Sequence, residues 1–286
     1  MLNETRLAFI GSGTMAEAMI KVILDKKLIP PSQIIGSGPR QERGQELHDR
    51  YGIEATTDNR EATRTVDIVV LSVKPQVLPV VLTELKGCIM PEALVLSIVA
   101  GRTMATIAAG LEHAAIVRAM PNTPAQIGQG MTVWTATPEV NQRQQTQAQA
   151  ILRTMGQEIY VAEERALDMA TAVSGTGPTY VFLMMEAMID AAVHLGFSRR
   201  VAKALVLQTV LGSALFARQS SKHLAELRNM VTSPGGTSAD AIYQLEKGSL
   251  RTILSKAIWA AYQKSLLLGQ QNSITSPERE LPLDES

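Results

Sequence analysis

Two short stretches hold the residue types best suited to grip an anion. In MVTSPGGTSADAIYQLEKG, residues 230–248, a proline and two glycines abut Ser and Thr and then a helical stretch begins. A helix start of this kind presents unpaired N–H groups and partial positive charge, and glycines let a ligand approach the main chain. Gly236, Thr237 and Ser238 fall in the first turn and add hydroxyl donors, with Ser233 just upstream. Spacing alone leaves a capping motif without ligand equally open.

The second stretch, LAFIGSGTMAEAMIKVIL, sets Gly11, Gly13 and Ala16 in a GxGxxA pattern between an apolar strand and an amphipathic helix. Gly11 suits the tight turn, Gly13 the close approach of a pyrophosphate, and Ala16 the packing of helix on strand. A strand about twenty residues on ends in GSGPRQER, with no carboxylate where an NAD site holds the ribose hydroxyls. Ser37 and Arg40 offer hydroxyl and guanidinium donors to a 2′-phosphate, which selects NADPH, with NADH as the alternative.

What is missing narrows the reaction. Oxidising an alcohol calls for a base, yet His48, His113, His194 and His223 lie in helix-like segments outside the glycine-rich motifs. A protonated imine accepts hydride without a strong protein acid, so reduction of a C=N bond needs only hydroxyls, amides and placement. In AVSGTGPTYVF, Ser174, Thr176 and Tyr180 stand at a second Gly-Pro turn, which reads equally as a helix corner or as a pocket wall.

These residues need a scaffold. The first half alternates short apolar runs (RLAFIG, QIIGSG, DIVVLSV, ALVLSIV, AAIVRAM, GMTVWTA, EIYVAEE) with amphipathic stretches such as 15–27 and 76–86. That is the βαβ rhythm of a mostly parallel sheet. Past about Glu164 the pattern is helical: 165–173, 178–195, 199–219, 222–230, 237–247 and 249–269. The expected fold class is therefore α/β, with a Rossmann-type dinucleotide domain over 1–164, an all-α domain over 165–270, and a disordered tail over 271–286. The helices lack a clear polar face, which suits burial against a second copy.

Composition sets the outer bounds. The chain has 286 residues, and its 27 basic and 27 acidic side chains cancel without a basic run, which argues against nucleic acid or an anionic membrane as partner. The lone Cys88 allows no internal disulfide and points to a reducing, cytoplasmic setting, and no Cys/His cluster has metal-ligand spacing. The N-terminal apolar run is too short for a signal peptide or membrane span.

Taken together, GSGTMA, SVKPQ, SIVAG, RAMPNTPAQIGQG, AVSGTGPTY and LRNMVTSPGGTSADAIYQLEKG resemble pyrroline-5-carboxylate reductase over about residues 5–269. The resemblance implies reduction of 1-pyrroline-5-carboxylate to L-proline with NAD(P)H, in homodimers gathered into a decamer. For the cofactor it implies Gly11, Ser12, Gly13, Thr14 and Met15 at the pyrophosphate and Ser37, Pro39 and Asn59 near the adenosine ribose. Val73, Lys74, Pro75 and Ala100 then line the channel, with Asn122 and Thr123 toward the nicotinamide. For the substrate it implies Ser233, Gly236, Thr237 and Ser238 at the carboxylate and ring, Glu164 and Ser174 around them, and Ser238 and Lys74 as the catalytic pair. Ser238 stands where the family usually has Thr, and Asn229 where an acidic residue is frequent. A related cyclic imino acid as substrate, or a catalytically silent NADP-binding relative, are the alternatives.

Overall fold

The computed structural model describes residue 2 and residues 4–270, so the expectation of a disordered tail over 271–286 lies outside the described residues. The chain forms two compact units, one of Thr176–Ala260 and one of the remaining residues.

The larger unit is an eight-stranded sheet. β1 (Leu7–Ile10), β2 (Ile34–Ser37), β3 (Glu54–Thr56), β4 (Ile68–Leu71) and β5 (Leu94–Ser97) are joined through α1 (Thr14–Asp25), α2 (Gln41–Tyr51), α3 (Asn59–Thr63) and α4 (Leu78–Leu85). Next come α5 (Met104–Leu111), β6 (Ile116–Pro121), β7 (Gly130–Ala136), α6 (Gln142–Thr154) and β8 (Gly156–Tyr160). Spatial order is β3-β2-β1-β4-β5-β6-β7-β8. Every pairing is parallel except β6 with β7, which run antiparallel.

The apolar runs are continuous because successive residues enter different cores. Leu7, Phe9, Ile68 and Val70 pack with Met19, Ile20 and Ile23 of α1 and Ile151 and Leu152 of α6. Ala8, Ile10, Val69 and Leu71 pack with Leu78, Val81 and Leu85 of α4 and Ile107 of α5. A strand buried on both faces has no polar side to show, as parallel sheets require. The two edge strands depart from this: β8 leaves Ile159 and Tyr160 exposed, and β3 has no apolar run to announce it. Its residues Glu54 and Ala55 are exposed at the sheet edge, and the strand exists because its backbone pairs with β2.

Beyond the sheet, α7 (Ala166–Ala170) continues into one turn of π-helix over Thr171–Gly175, both within the larger unit. The smaller unit holds α8 (Gly177–His194), α9 (Arg199–Gln219), α10 (Leu224–Met230), α11 (Thr237–Lys247) and the first part of α12 (Leu250–Gln270). Within it no residue of α8 is buried, and Phe182, Leu183, Leu211 and Phe216 stand exposed. Among the described residues one helix, α9, is long and apolar enough to cross a membrane by length and composition.

Candidate active site

The strand order reverses between β1 and β4, the place where open α/β sheets leave a crevice at the carboxyl ends of their strands. Here the crevice is a cleft of about 470 Å³ lined by Gly11, Ser12, Gly13, Gly38, Pro39, Arg40, Arg43, Ser72, Val73, Lys74 and Val77.

Its floor depends on two glycines for different reasons. Gly11 has φ +103°, and a Cβ there would lie 2.8 Å from Val73 Cγ1 and the Val73 amide. The turn after β1 therefore admits no side chain. Gly13 is the N-cap of α1 in extended geometry, with no side chain capping the helix, and a Cβ placed on it meets nothing within 4 Å. Nothing inside the protein demands glycine at 13. An open cradle beside an uncapped helix start fits a phosphate, and the site residues thus fit a dinucleotide. Thr14 and Met15 open the helix behind it, Met15 partly buried against the core that includes the fully buried Ala16.

At the adenosine end Ser37 is already engaged within the protein. Its side chain is fully buried and its hydroxyl donates to Asn59 Oδ1 at 2.7 Å, while its carbonyl accepts from the Ser12 hydroxyl at 2.9 Å. Asn59 in turn donates to Glu84 Oε2 at 2.7 Å. The pair ties β2 to α3 and α4, so both side chains already have partners within the protein. The cations at the cleft are Arg40, Lys74 and Arg43, a residue that the sequence reading passed over.

Arg43 is held firmly. Its Nε donates to the Ser12 carbonyl at 3.1 Å, Nη1 pairs with Glu46 at 3.0 Å, and Nη2 pairs with Glu17 of α1. Glu17 also receives Arg50 and the Tyr51 hydroxyl. Burial pushes the Glu17 carboxyl up, but the hydrogen bonds from Arg43 and Tyr51 and the charges of Arg43 and Arg50 outweigh it and hold the group below its ordinary value. The only hint in sequence was the spacing of three residues between Arg40 and Arg43, one helical turn.

The opposite wall is the loop after β4. Ser72 Oγ donates to the Gly11 carbonyl at 2.9 Å, and Val73 and Lys74 follow it into the cleft. Pro75 presents its carbonyl to Arg102 at 2.8 Å. Ala100 lies in the neighbouring loop between β5 and α5.

Beyond this wall three expected residues have engaged side chains. Asn122 follows β6 directly, but its Nδ2 donates to the Ser174 carbonyl at 3.0 Å and its Oδ1 accepts from the Met131 amide at 2.9 Å. Ser174 sits in the π-helical turn with its hydroxyl donating to the Ala170 carbonyl at 3.0 Å. Glu164 Oε1 accepts the Met104 amide at 2.7 Å and Arg118 Nη1 at 2.8 Å, so it caps α5 and neutralises a buried arginine. The π-turn, of a kind enriched at functional sites, has no signature in the residues themselves.

In the smaller unit α11 begins as its residues imply. Its N-cap is Gly236 without a side-chain cap, and the preceding Gly235 has φ +69°, a conformation favouring glycine. A Cβ on Gly236 would run into Ser233 Oγ. Thr237 is exposed and Ser238 half-buried at the head of the helix. Two histidines also depart from expectation: His113 lies in the loop before β6 with Nε2 donating to the Ala93 carbonyl at 2.8 Å, and His223 precedes α10, where its Nδ1 accepts from the Ala225 amide at 3.2 Å. Both have structural partners.

Comparison with known proteins bears on both units. Residues 164–268 match the family model for pyrroline-5-carboxylate reductase dimerisation, and residues 6–101 match the model for NADP oxidoreductase, coenzyme F420-dependent. The pyrroline-5-carboxylate reductase of Synechocystis is 41% identical over 266 residues, covering 93% of this chain and 99% of that protein. Its counterpart in Pseudomonas aeruginosa is 40% identical over 271 residues, with 94% and 99% covered. Among solved structures, Plasmodium falciparum pyrroline carboxylate reductase with NADP bound superposes with a TM-score of 0.86 at 32% identity, covering 93% of this chain and 99% of that one.

Proposed function

The chain belongs to the pyrroline-5-carboxylate reductase family, the NAD(P)-dependent oxidoreductases of the last step of proline biosynthesis, and from that premise we propose how its residues divide the work. The observation that carries the assignment is the uncapped, open N-terminus of α1 at the sheet's reversal point. Bound in that cleft, NADPH supplies the hydride that C5 of 1-pyrroline-5-carboxylate accepts to give L-proline.

Gly11, Ser12, Gly13, Thr14 and Met15 take the pyrophosphate through the amides of the turn and the first turn of α1. Arg40 takes the 2′-phosphate and favours NADPH over NADH, with Pro39 beside the ribose. Ser37 and Asn59 hold that strand end in place, as their mutual hydrogen bond supports. Val73, Lys74, Pro75 and Ala100 wall the channel, and Asn122 shapes its far end by fastening the turn that carries Ser174.

At the start of α11, Ser233, Gly236, Thr237 and Ser238 grip the substrate carboxylate, the uncapped amides providing the charge complement. The Ser238 hydroxyl holds a proton at the ring nitrogen, and the Lys74 ammonium adds positive charge at the reaction end. Glu164 borders the pocket as the anchor of α5.

The sheet domain ends near residue 164, just past β8, and the helices that follow carry dimerisation and substrate binding. The exposed apolar faces of α8 and α9 support a homodimer in which a second copy covers them, and five such dimers would make a decamer. The enzyme acts in the cytoplasm.

The test is direct. Purified protein with synthetic 1-pyrroline-5-carboxylate should consume NADPH, with slower use of NADH, and release proline. Absence of proline, or faster turnover of 1-piperideine-carboxylate, would reject the assignment.

A further inference from the structure

Arg102 lies in the loop between β5 and α5 and is 5% exposed, yet its one hydrogen bond among the described residues runs from Nη2 to the Pro75 carbonyl at 2.8 Å. Its Nε is buried without a partner. Burial pulls its pKa down, and no carboxylate among the described residues stands beside it to restore it. A guanidinium taken from water with so little in return is costly to the fold, and replacing such a group by an apolar side chain of similar length is often neutral or stabilising.

What the arginine does hold is the cleft wall. The loop after β4 is fastened at its start by the Ser72 hydroxyl, which donates to the carbonyls of Gly11 at 2.9 Å and Ile10 at 3.2 Å. Val73 and Lys74, which line the cleft, come next, and Pro75 follows them. Without Arg102 the far end would rest on its own turn, closed by the Val77 amide on the Lys74 carbonyl at 2.9 Å. Proline cannot donate through its own nitrogen, so its carbonyl is the one backbone group by which residue 75 is tied to a neighbouring loop.

We propose that Arg102 is a positioning residue for the dinucleotide: it pins Pro75 and thereby sets Val73 and Lys74 against the cofactor, at the expense of stability. The inference rests on the reading of this cleft as the NADPH site. It assigns Arg102 no contact with the substrate.

The experiment compares native protein, Arg102→Met and Arg102→Lys by thermal melting, by titration of NADPH fluorescence and by the KM for 1-pyrroline-5-carboxylate. Met keeps the stem and removes the donor. It should melt at or above the native temperature, bind NADPH about tenfold more weakly, a shift of ~1.4 kcal/mol, and leave the substrate KM within about twofold. Lys keeps one donor for Pro75 and should recover most of the affinity. NADPH binding by Arg102→Met equal to native overturns the proposal. So does an unfolded Met variant, or one that weakens cofactor and substrate alike while melting lower, since either makes the arginine a packing residue. Failure of the native protein to bind NADPH would instead remove the cofactor reading beneath it.

Discussion

Arg118 of β6 donates from Nη1 to Glu164 at 2.8 Å across 46 positions of sequence, and the same carboxylate oxygen takes the first amide of α5. Asp168 stands 3.9 Å from the arginine's other terminal nitrogen and accepts from Ser265 of α12 at 2.8 Å. One buried cation therefore joins β6, the start of α5, α7 and the C-terminal part of α12. Removing the Glu164 carboxylate leaves Arg118 buried with a single distant acid. Glu164→Ala should lose about 2–3 kcal/mol in urea unfolding, below the ~3–5 kcal/mol of a fully buried pair because Glu164 is partly exposed. Glu164→Gln keeps an acceptor and should lose less; equal losses would mean the charge is irrelevant.

The two glycines of the first turn should separate folding from binding. Gly11→Ala forces a positive φ on alanine and a collision with Val73, and thermal melting should register a loss of about 1–3 kcal/mol or more. Gly13→Ala has allowed geometry and open space, so its stability should stay within about 0.5 kcal/mol of native. Its NADPH affinity, read by fluorescence titration, should fall about tenfold or more. A Gly13→Ala protein that binds normally would empty the cradle of its proposed ligand.

Arg40 and Arg43 both face the cleft, but Arg43 is engaged by Glu17, Glu46 and the Ser12 carbonyl. Arg40→Ala should raise the KM for NADPH about tenfold while shifting that for NADH less than about twofold, since only the former carries the 2′-phosphate. Arg43→Ala should weaken both cofactors, because it releases the turn that holds the pyrophosphate. Steady-state kinetics with each cofactor distinguishes the two patterns.

Ser238→Ala removes a hydroxyl at the head of α11 and leaves the helix amides in place. Turnover should fall by about tenfold or more while NADPH affinity stays near native. Parallel loss of both would move Ser238 away from the substrate.

The acid limb of stability should pass in part through Glu17. Its folded carboxyl lies below the unfolded value, so it contributes stability above the unfolded pKa and loses it as pH falls toward the folded one. Urea midpoints of native protein and Glu17→Gln should differ by a constant amount above about pH 5 and converge below the unfolded carboxylate value of about 4.3. A gap that persists to lower pH would assign the effect to packing.

Much of this molecule was legible before its coordinates. Local rules suffice for a strand whose successive residues enter two cores, for a helix capped by Gly236, and for the positive φ that favours glycine at 11, because each depends on residues within a few positions of one another, while the collision with Val73 adds a distant reason for Gly11. That is why the seven apolar runs, the later helices and both glycine-rich starts could be read in order. The edge strand Glu54–Thr56 could not, since its pairing with β2 comes from the backbone and leaves no pattern in side chains. The same holds for the burial of Ser37 on Asn59, the tether of Arg43 to Ser12, the cap that Glu164 places on α5 and the grip of Arg102 on Pro75. Each joins positions at least 22 residues apart through a hydrogen bond whose existence depends on distance in space. Sequence alone determined which groups were available for chemistry; tertiary structure decided which of them remain open to a ligand, because folding commits the others to partners within the chain.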